Sequence, residues 1–401
     1  MQKAVYKQIL LLTLAHAVTD LPQGALLVAL PFLKAKFALT YTQISLVMLI
    51  QNLTSSVSQP LFGYFSDKRS KPWLMPAGCI LSGAGMLASL WSPSYGLLLA
   101  FTFLSGLGVA AFHPEGAKAA NRLSGEAKGK GVSLFVVGGT AGMAVGSLFL
   151  AVLLADGPGP RLFWYIVPSL AIGIPLFRLA AVMPRQEAGN TAPVKWYKEL
   201  LSGSLLVLLA VIFIRAMTSS GLSTFLPLYY VSYLKGDRVF SGTLLTTYLA
   251  AGAIGTLIGG TLSDRYGSRR VMLWSIAPVS LIIYLFRLST ADALVFLLMD
   301  AASILLSAAH TSSLVLAQRM MPGNVGMASG LTLGFSFGVG AMGVLALGRA
   351  ADVWTLPVVF DILALLPLVG LFLTLFVRDM EKKAGTVFSD QEGKSYNCRN
   401  M

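Results

Sequence analysis

The chain places ionisable side chains inside long apolar segments. The stretch GLGVAAFHPEGAKAANR contains His113 and Glu115, and an apolar segment near the N-terminus contains His16 and Asp20. His16 and Asp20 are four positions apart, so in a helix they lie on one face, where they can share or relay a proton. His113 and Glu115 are two positions apart and would meet only if Pro114 distorts the turn between them. Because His-Pro-Glu lacks the His-Glu-x-x-His spacing of a helical zinc site, these residues predict proton chemistry without a bound metal.

Two further ionisable residues, Arg215 and His310, interrupt apolar segments in the second half of the chain. An ionisable group inside a membrane costs about 2.5 to 3.5 kcal/mol on insertion scales and usually faces a cavity or a partner. The guanidinium of Arg215 keeps its positive charge and presents a planar fork that fits a carboxylate or a phosphonate. We therefore predict that Arg215, His310 and Asp20 bind a small anionic substrate.

Structural explanations for these groups stay open at this point. Asp20 and Arg215 would also suit a salt bridge across the bundle, and His310 would suit a simple hydrogen bond to a neighbouring helix. Glu115 would equally suit the membrane surface beside Lys118. The predicted proton-coupling residues, with Asp20 as the first choice and Glu115 as the second, are Asp20, His16, Glu115 and His113.

Composition identifies the elements that must hold these groups as membrane helices. Hydrophobic residues make up 55% of the chain, charged residues 12%, and the mean hydropathy is +0.73. A soluble domain carries about 25% charged residues, so this chain is a membrane protein. The sequence contains neither the nucleophile or metal constellation of a membrane enzyme nor a Gly-x-x-x-x-Gly-Lys-(Ser/Thr) loop for ATP-driven transport. Its two cysteines outline no disulfide framework.

A membrane helix needs about 20 apolar residues, and the chain offers twelve such segments. The predicted spans are 7–32, 41–66, 73–91, 95–121, 130–155, 161–183, 203–233, 240–263, 271–289, 292–318, 324–349 and 355–378. The predicted fold is therefore an all-α membrane protein of twelve transmembrane helices in two pseudo-symmetric six-helix halves. The predicted divisions are an N-terminal half at 1–184, a cytoplasmic linker at 185–202, a C-terminal half at 203–379 and a disordered cytoplasmic tail at 380–401.

Lysines and arginines indicate the orientation of these spans. Most of the 30 basic residues lie in loops on the same side as both termini. Cytoplasmic loops of membrane proteins carry the excess of Lys and Arg, so both termini are predicted to be cytoplasmic. The same distribution accounts for the net charge of +13 without a nucleic-acid partner.

Two loops of the chain repeat one pattern. The loop after the second predicted span reads GYFSDKRSKP, and the loop after the eighth reads GTLSDRYGSRR. Three pairs of residues have the same separation of 197 positions, namely Gly63 and Gly260, Asp67 and Asp264, and His113 and His310. A single offset of about half the chain indicates two homologous halves, as found in many transporters.

The loop pattern resembles the signature of the major facilitator superfamily of secondary transporters. The first copy departs from it, with Ser70 in place of the second glycine and Pro72 in place of the last basic residue. The second copy matches fully, through Gly260, Asp264, Arg265, Gly267, Arg269 and Arg270. More narrowly, the stretches DKRSKPWLMPAG, FHPEGAKAA and MPGNVGMASGLTLGFSFGVGAMG resemble the fosmidomycin-resistance branch of bacterial drug exporters.

This resemblance implies a function and a location. It implies a secondary transporter, driven by the proton gradient without a bound cofactor, that exports small drugs or anionic compounds such as fosmidomycin by antiport and alternating access. The alternative is proton-coupled import or export of a sugar or metabolite, because one fold serves many substrates and both directions. The implied setting is a monomer crossing the bacterial cytoplasmic (inner) membrane several times, with substrate, protons and lipids as partners. Gly146 and Ser147 stand where related antiporters have Gly-Pro, which weakens the antiport inference.

The resemblance also implies a cavity and a gate. The helical rise of 1.5 Å per residue places the three histidines at one level, about 12 to 13 Å from the cytoplasmic side. The resemblance implies that spans one, four, seven and ten line the cavity, so the histidines would surround its cytoplasmic half. In the family, the carboxylate after the second span, here Asp67, interacts with the positive N-terminal end of span eleven near residues 324–326 and latches the outward-open state. The predicted gating residues are Gly63, Asp67, Lys68 and the six matching residues of the second copy. The basic residues among them would equally serve only to set topology.

Overall fold

Helices form the regular secondary structure of the computed structural model, which describes residues 3–68, 71–124, 128–183, 203–289, 291–321 and 325–378. The helical segments are α1 (Lys3–Phe37), α2 (Tyr41–Lys68), α3 (Leu74–Trp91), α4 (Tyr95–Leu123), α5 (Lys128–Leu153), α6 (Pro160–Val182), α7 (Gly203–Tyr233), α8 (Arg238–Tyr266), α9 (Ser268–Leu288), α10 (Asp292–Met320), α11 (Val325–Val353) and α12 (Leu356–Leu375). Each predicted span coincides with one of these segments to within a few residues.

Two segments change helical type along their length, and a third is interrupted. α6 begins with a 3-10 helix over Pro160–Ile166, and α7 ends in a π-helical turn over Leu228–Tyr233. α9 consists of two shorter helices, Ser268–Ile276 and Val279–Leu288, interrupted just before the second by Pro278. Proline has no amide hydrogen to continue the helical ladder, so the break follows from the sequence.

The outer surface of the bundle is apolar. Ten of the described segments, all except α2 and α11, are long and apolar enough to cross a membrane. Large hydrophobic side chains are exposed along them, among them Ile174, Leu257, Leu297, Leu365 and Phe372. A soluble monomer rarely exposes so extended an apolar surface. The chain is therefore a multi-pass membrane protein.

The same helix pairings occur in both predicted halves. In the first, α1 packs against α5, and α4 packs against α2 and α3. In the second, α7 packs against α11, and α10 packs against α8 and α9. Each pairing recurs after a shift of six segments, as an internal repeat requires. The predicted linker at 185–202 and the predicted tail at 380–401 lie outside the described residues.

Glycines allow α5 to lie directly against α1. Cβ atoms built at Gly138, Gly142 and Gly146 would lie within 2.3 Å of main-chain oxygens of α1. The spacing of four residues puts all three glycines on one helix face, so the two backbones meet without intervening side chains. This close approach brings Phe135 and Gly139 of α5 against the polar side chains of α1.

The helix pairs α2 with α11 and α5 with α8 form most of the contact between the predicted halves, and α1 also contacts α7 and α8. Between α5 and α8, the hydroxyl oxygens of Ser147 and Thr246 are hydrogen-bonded at 2.7 Å. Between α2 and α11, the carboxylate of Asp352 accepts hydrogen bonds from the backbone amides of Tyr41 (2.6 Å) and Thr42 (2.8 Å) and from the Thr42 hydroxyl (2.5 Å). A carboxylate of one predicted half thus caps the first turn of a helix in the other, on the predicted outer side.

Candidate functional site

A cluster of two imidazoles and a carboxylate lies between α1 and α4. His16 and Asp20 are one turn apart on α1, and His16 Nε2 is 3.3 Å from Asp20 Oδ2. His113 of α4 places its Nε2 atom 3.1 Å from His16 Nε2 and 3.7 Å from Asp20 Oδ1. The side chains of His16 and Asp20 are 8% and 7% exposed, whereas that of His113 is 21% exposed. We refer to these three residues as the triad, with His113 as its most accessible member.

Backbone carbonyls fix the orientation of both imidazole rings. His16 Nδ1 donates to the Phe135 carbonyl of α5 at 2.7 Å, and His113 Nδ1 donates to the Val109 carbonyl at 2.8 Å. A carbonyl oxygen can only accept, so the hydrogen-bond network assigns a hydrogen to each Nδ1. In two neutral rings, both Nε2 atoms would then direct lone pairs at one another and at the ionised Asp20 carboxylate. One additional proton converts this repulsion into a hydrogen bond, so the triad has the geometry of a proton-binding site.

Apolar neighbours enclose the triad. The Phe135 ring stacks on His16 with centroids 4.2 Å apart, and the Phe112 ring centroid lies 5.8 Å from that of His16. A Cβ built at Gly139 would lie 2.6 Å from His16 Nε2 and 2.8 Å from Asp20 Oδ2, so a larger side chain there would displace the polar groups. His16 and Asp20 are therefore largely shielded from water, and the low local dielectric around them strengthens their electrostatic interactions.

Glu115, the fourth predicted proton-coupling residue, is bound elsewhere. α4 remains helical through Pro114, contrary to the distortion that the sequence suggested. The Glu115 carboxylate is buried, and its Oε1 atom accepts a hydrogen bond from the backbone amide of Lys71 at 2.7 Å. The structure therefore brings His16, Asp20 and His113 together and directs Glu115 toward the connection between α2 and α3.

Arg215 lies in a second polar cluster, in the other predicted half. It is buried on α7, and its Nη2 atom donates to Ser336 Oγ of α11 at 3.1 Å. Arg215 Nε, the Tyr248 hydroxyl of α8 and His310 Nδ1 of α10 are buried and have no hydrogen-bond partner among the described residues. Arg215 is close enough to Tyr248 and to His310 to interact with both electrostatically. We refer to Arg215, Tyr248 and His310 as the arginine cluster.

The arginine cluster has the chemistry of an anion site. Buried polar atoms are normally hydrogen-bonded. Arg215 Nε, the Tyr248 hydroxyl and His310 Nδ1 are therefore expected to bind a ligand or water. The guanidinium and the phenol hydroxyl can both donate to an oxyanion, and the positive charge favours it. The hydrogen bond from His310 Nδ1 to a neighbouring helix, which the sequence left open, is not found among the described contacts.

The predicted substrate-binding set is divided between the two clusters. Arg215 and His310 lie together, whereas Asp20 lies in the triad, where its ionisable partners are His16 and His113. The salt bridge between Asp20 and Arg215 that the sequence left open is not among the ion pairs of the described residues. The two clusters thus differ in chemistry: the triad contains proton acceptors, whereas the arginine cluster contains a cation and hydrogen-bond donors.

Residues of the second loop copy hold the junction of α8 and α9. Gly267 joins them with φ at 88°, a left-handed conformation that favours glycine. Arg269 donates from Nε (3.3 Å) and Nη2 (2.7 Å) to the last carbonyls of α12, where a positive charge interacts favourably with the helix dipole. Asp264 lies 3.3 Å from Arg319 Nη2 of α10. These contacts are structural, and a gating role for the residues stays a prediction.

The two motif glycines lie at equivalent helix contacts. A Cβ built at Gly63 of α2 would lie 4.0 Å from Pro114 of α4, and one at Gly260 of α8 would lie 3.6 Å from Thr311 of α10. The side chains of Asp67 and Lys68 and the start of the loop to α11, at 322–324, fall outside the described part of the chain. The predicted latch between Asp67 and α11 therefore stays a prediction.

Sequence reasoning missed several residues of both clusters, namely Phe135, Gly139, Tyr248 and Ser336. None of them carries a charge, and each lies in an apolar or small-residue run where its contribution depends on tertiary packing. The available signal is the glycine spacing of four residues in α5, which is typical of close contact with a neighbouring helix. It did not indicate which helix would be approached.

The fold and the two clusters define the class of protein. A multi-pass helical bundle with repeated pairings and with ionisable groups enclosed in its interior is typical of secondary transporters. Comparison with known proteins gives the family. The model of the Major Facilitator Superfamily matches residues 12–236 and 208–397. The chain belongs to this superfamily, which consists of transporters and not of enzymes.

Relatives and solved structures agree with this assignment. The chain is 32% identical over 388 residues to the fosmidomycin resistance protein of Escherichia coli (strain K12), covering 93% of each chain. It is 30% identical over 393 residues to the uncharacterized MFS-type transporter YfnC of Bacillus subtilis (strain 168), covering 94% of each. A bacterial homolog to the human lysosomal transporter Spinster, solved in an inward-facing and occupied conformation, matches with a TM-score of 0.78 at 13% identity, over 94% of this chain and 97% of that one. The predicted family and its narrower resemblance are both confirmed.

Proposed function

We propose that this chain is a proton-coupled antiporter that exports small drugs or anionic compounds across the bacterial inner membrane by alternating access. The observation that carries the proposal is the triad, a buried pair of imidazoles beside a carboxylate that requires one proton to avoid internal repulsion. A binding site of this kind inside a transporter bundle couples transport to the proton gradient. The name of the Escherichia coli relative makes fosmidomycin the first substrate to test.

The proposal includes a topology of twelve membrane crossings with both termini in the cytoplasm. α2 and α11 contain 28 and 29 residues, enough to cross a bilayer at 1.5 Å per residue. They pack against each other within the bundle. The excess of basic residues on the side of the termini supports the orientation.

The arginine cluster is the proposed substrate site. Arg215 and Tyr248 provide buried donors for a phosphonate or carboxylate, and Arg215 Nε and the Tyr248 hydroxyl have no hydrogen-bond partner among the described residues. The cluster includes helices α7, α8 and α10 of one half, whereas the triad belongs to α1 and α4 of the other. Proton and anion thus bind in different halves, and motion of one half against the other can link the two events.

A flux measurement with a matched variant tests the coupling. Purified protein is reconstituted in proteoliposomes, and proton movement is recorded after addition of fosmidomycin to wild type, Asp20→Asn and Asp156→Asn. Asp156 provides the control because its side chain is 73% exposed, in an ion pair with Arg161. The proposal expects drug-dependent proton movement in wild type and Asp156→Asn and its loss in Asp20→Asn. Equal proton movement in all three proteins would contradict coupling through the triad.

A binding measurement tests the substrate site. Loss of a charged hydrogen bond costs about 1.5 to 3 kcal/mol, so Arg215→Gln should weaken fosmidomycin binding about tenfold to a hundredfold. Arg238→Gln, at an exposed position on α8, is the control and should bind as wild type. Unchanged affinity in Arg215→Gln, measured by isothermal titration calorimetry, would place the anion elsewhere.

A further inference from the structure

The geometry points to one proton held between His16 Nε2 and His113 Nε2, with Asp20 remaining an ionised counter-charge. The inference deepens the proposed function, because it names the atoms that carry the proton and limits the triad to one proton per transport cycle. The role in transport rests on the proposed function, whereas the position of the proton can be measured without transport.

Distances within the triad distinguish the two possible proton positions. The shortest separation, 3.1 Å, joins the two Nε2 atoms, whereas Asp20 lies 3.3 Å from one of them and 3.7 Å from the other. A protonated Asp20 carboxyl has one hydrogen and can donate to one nitrogen only. The two nitrogen lone pairs would then still face each other at 3.1 Å. A proton on either Nε2 removes that repulsion and places an imidazolium beside the carboxylate.

The net charge at this site depends on the protonation of the triad residues themselves. The charged groups that act on Asp20 are His113 and His16. Cys79 of α3 also lies close enough to interact with Asp20, and its thiol is buried. Other ionisable side chains on α1 and on the helices packed against it include Lys7 of α1, Glu115, Lys118 and Arg122 of α4, Arg178 of α6 and Arg215 of α7. Glu115 is bonded to Lys71, and Arg215 is bonded to Ser336. Protonated, the triad is neutral overall, and deprotonated it carries one negative charge.

His113 is the member through which the proton leaves. Its side chain is the most exposed of the three, at 21%. In the releasing step the N–H bond at Nε2 breaks, a water molecule takes the proton as hydronium, and the nitrogen keeps the electron pair. Both rings are then neutral, with lone pairs facing. Backbone carbonyls of α4 and α5 hold the Nδ1 atoms of the two rings, so the rings cannot rotate away from each other. The repulsion is therefore relieved only when α1 and α4 separate.

Nitrogen NMR of the intact protein tests this arrangement. The chain contains three histidines, so labelling them with ¹⁵N gives six ring-nitrogen signals. The inference expects an ¹⁵N–¹⁵N coupling across the hydrogen bond between the Nε2 atoms of His16 and His113, in protein held in lipid bilayers. The coupling should disappear in a single one-proton step as the pH is raised. His113→Gln should abolish it, and His310→Gln, which changes the one histidine outside the triad, should leave it intact.

A second label separates failure of this inference from failure of the proposed function. Labelling aspartate side chains with ¹³C reports whether Asp20 is ionised while the proton is bound. A protonated Asp20 with two unprotonated Nε2 atoms would overturn the inference, even if drug-dependent proton movement occurred. An ionised Asp20 with the nitrogen coupling present would support it, even if proteoliposomes showed no proton movement with any drug.

Discussion

The carboxylate of Asp352 joins the two predicted halves at the predicted outer side, and its removal gives a quantitative prediction. Both carboxylate oxygens accept hydrogen bonds from the first turn of α2, at 2.5 to 2.8 Å. The contact exists only while α2 and α11 meet at that end. Asp352→Ala should therefore shift the protein toward a state that is open on the outer side.

The size of the shift follows from the capping geometry. Loss of a helix-capping side chain costs about 0.5 to 2 kcal/mol, and a carboxylate at a helix N-terminus contributes about 0.3 to 1 kcal/mol when exposed. Asp352 is partly buried, and its two contributions overlap, so about 1 to 2 kcal/mol should be lost. That difference changes the ratio of the two states by a factor of about 5 to 30. Asp352→Asn keeps an acceptor but loses the charge, so its effect should be smaller.

Electron paramagnetic resonance distances measure this ratio directly. Spin labels at Gly96→Cys and Trp354→Cys, in a background of Cys79→Ala and Cys398→Ser, report the separation of the outer ends of α4 and α11. Both label positions are exposed, and Gly96 has open space for a side chain. Asp352→Ala should enlarge the long-distance population, whereas Asp156→Ala should not. An unchanged distribution in Asp352→Ala would refute the view that this cap stabilises the closed outer side.

Three further substitutions test the triad, the arginine cluster and the second loop copy in turn. Gly139→Ala would place a methyl carbon 2.6 Å from His16 Nε2 and displace the triad, so the rate of drug transport should fall about tenfold or more. The control Thr140→Ala, on the exposed face of α5, should transport as wild type. Tyr248→Phe removes a hydroxyl without a partner among the described residues, so calorimetry should show about tenfold weaker fosmidomycin binding with an unchanged melting temperature. Asp264→Asn breaks a pair whose carboxylate is 79% exposed, so a stability loss above about 1 kcal/mol would contradict its assignment as a surface ion pair.

The positions of the helices and the contact between His16 and Asp20 on α1 were predictable because each depends on local sequence. Runs of about 20 apolar residues locate spans without knowledge of packing. The spacing of four between His16 and Asp20 predicts contact on a helix, and the structure has that contact at 3.3 Å. His113 followed from depth along the helices together with the family resemblance, and it lies 3.1 Å from His16.

Ring orientation and the neutral partners could not be predicted because they depend on long-range packing. The His16 ring is fixed by the carbonyl of Phe135, 119 positions away, which requires the glycine-mediated contact of α1 with α5. The Asp352 carboxylate caps a helix whose first residues lie more than 300 positions away in the sequence. In the sequence, Asp352 looks like any polar residue at the end of a helix. Glu115 was paired with His113 on the assumption that Pro114 distorts α4, but the helix continues through that proline.

Drug accumulation under an imposed pH gradient tests proton-coupled antiport most directly. Proteoliposomes with an acidic interior and a neutral exterior receive radiolabelled fosmidomycin outside, so that antiport exchanges interior protons for the drug. The account predicts accumulation above the outside concentration, abolished by a protonophore and absent when the pH gradient is reversed. Equilibration to equal concentrations regardless of the gradient would contradict it, as would accumulation that requires an acidic exterior.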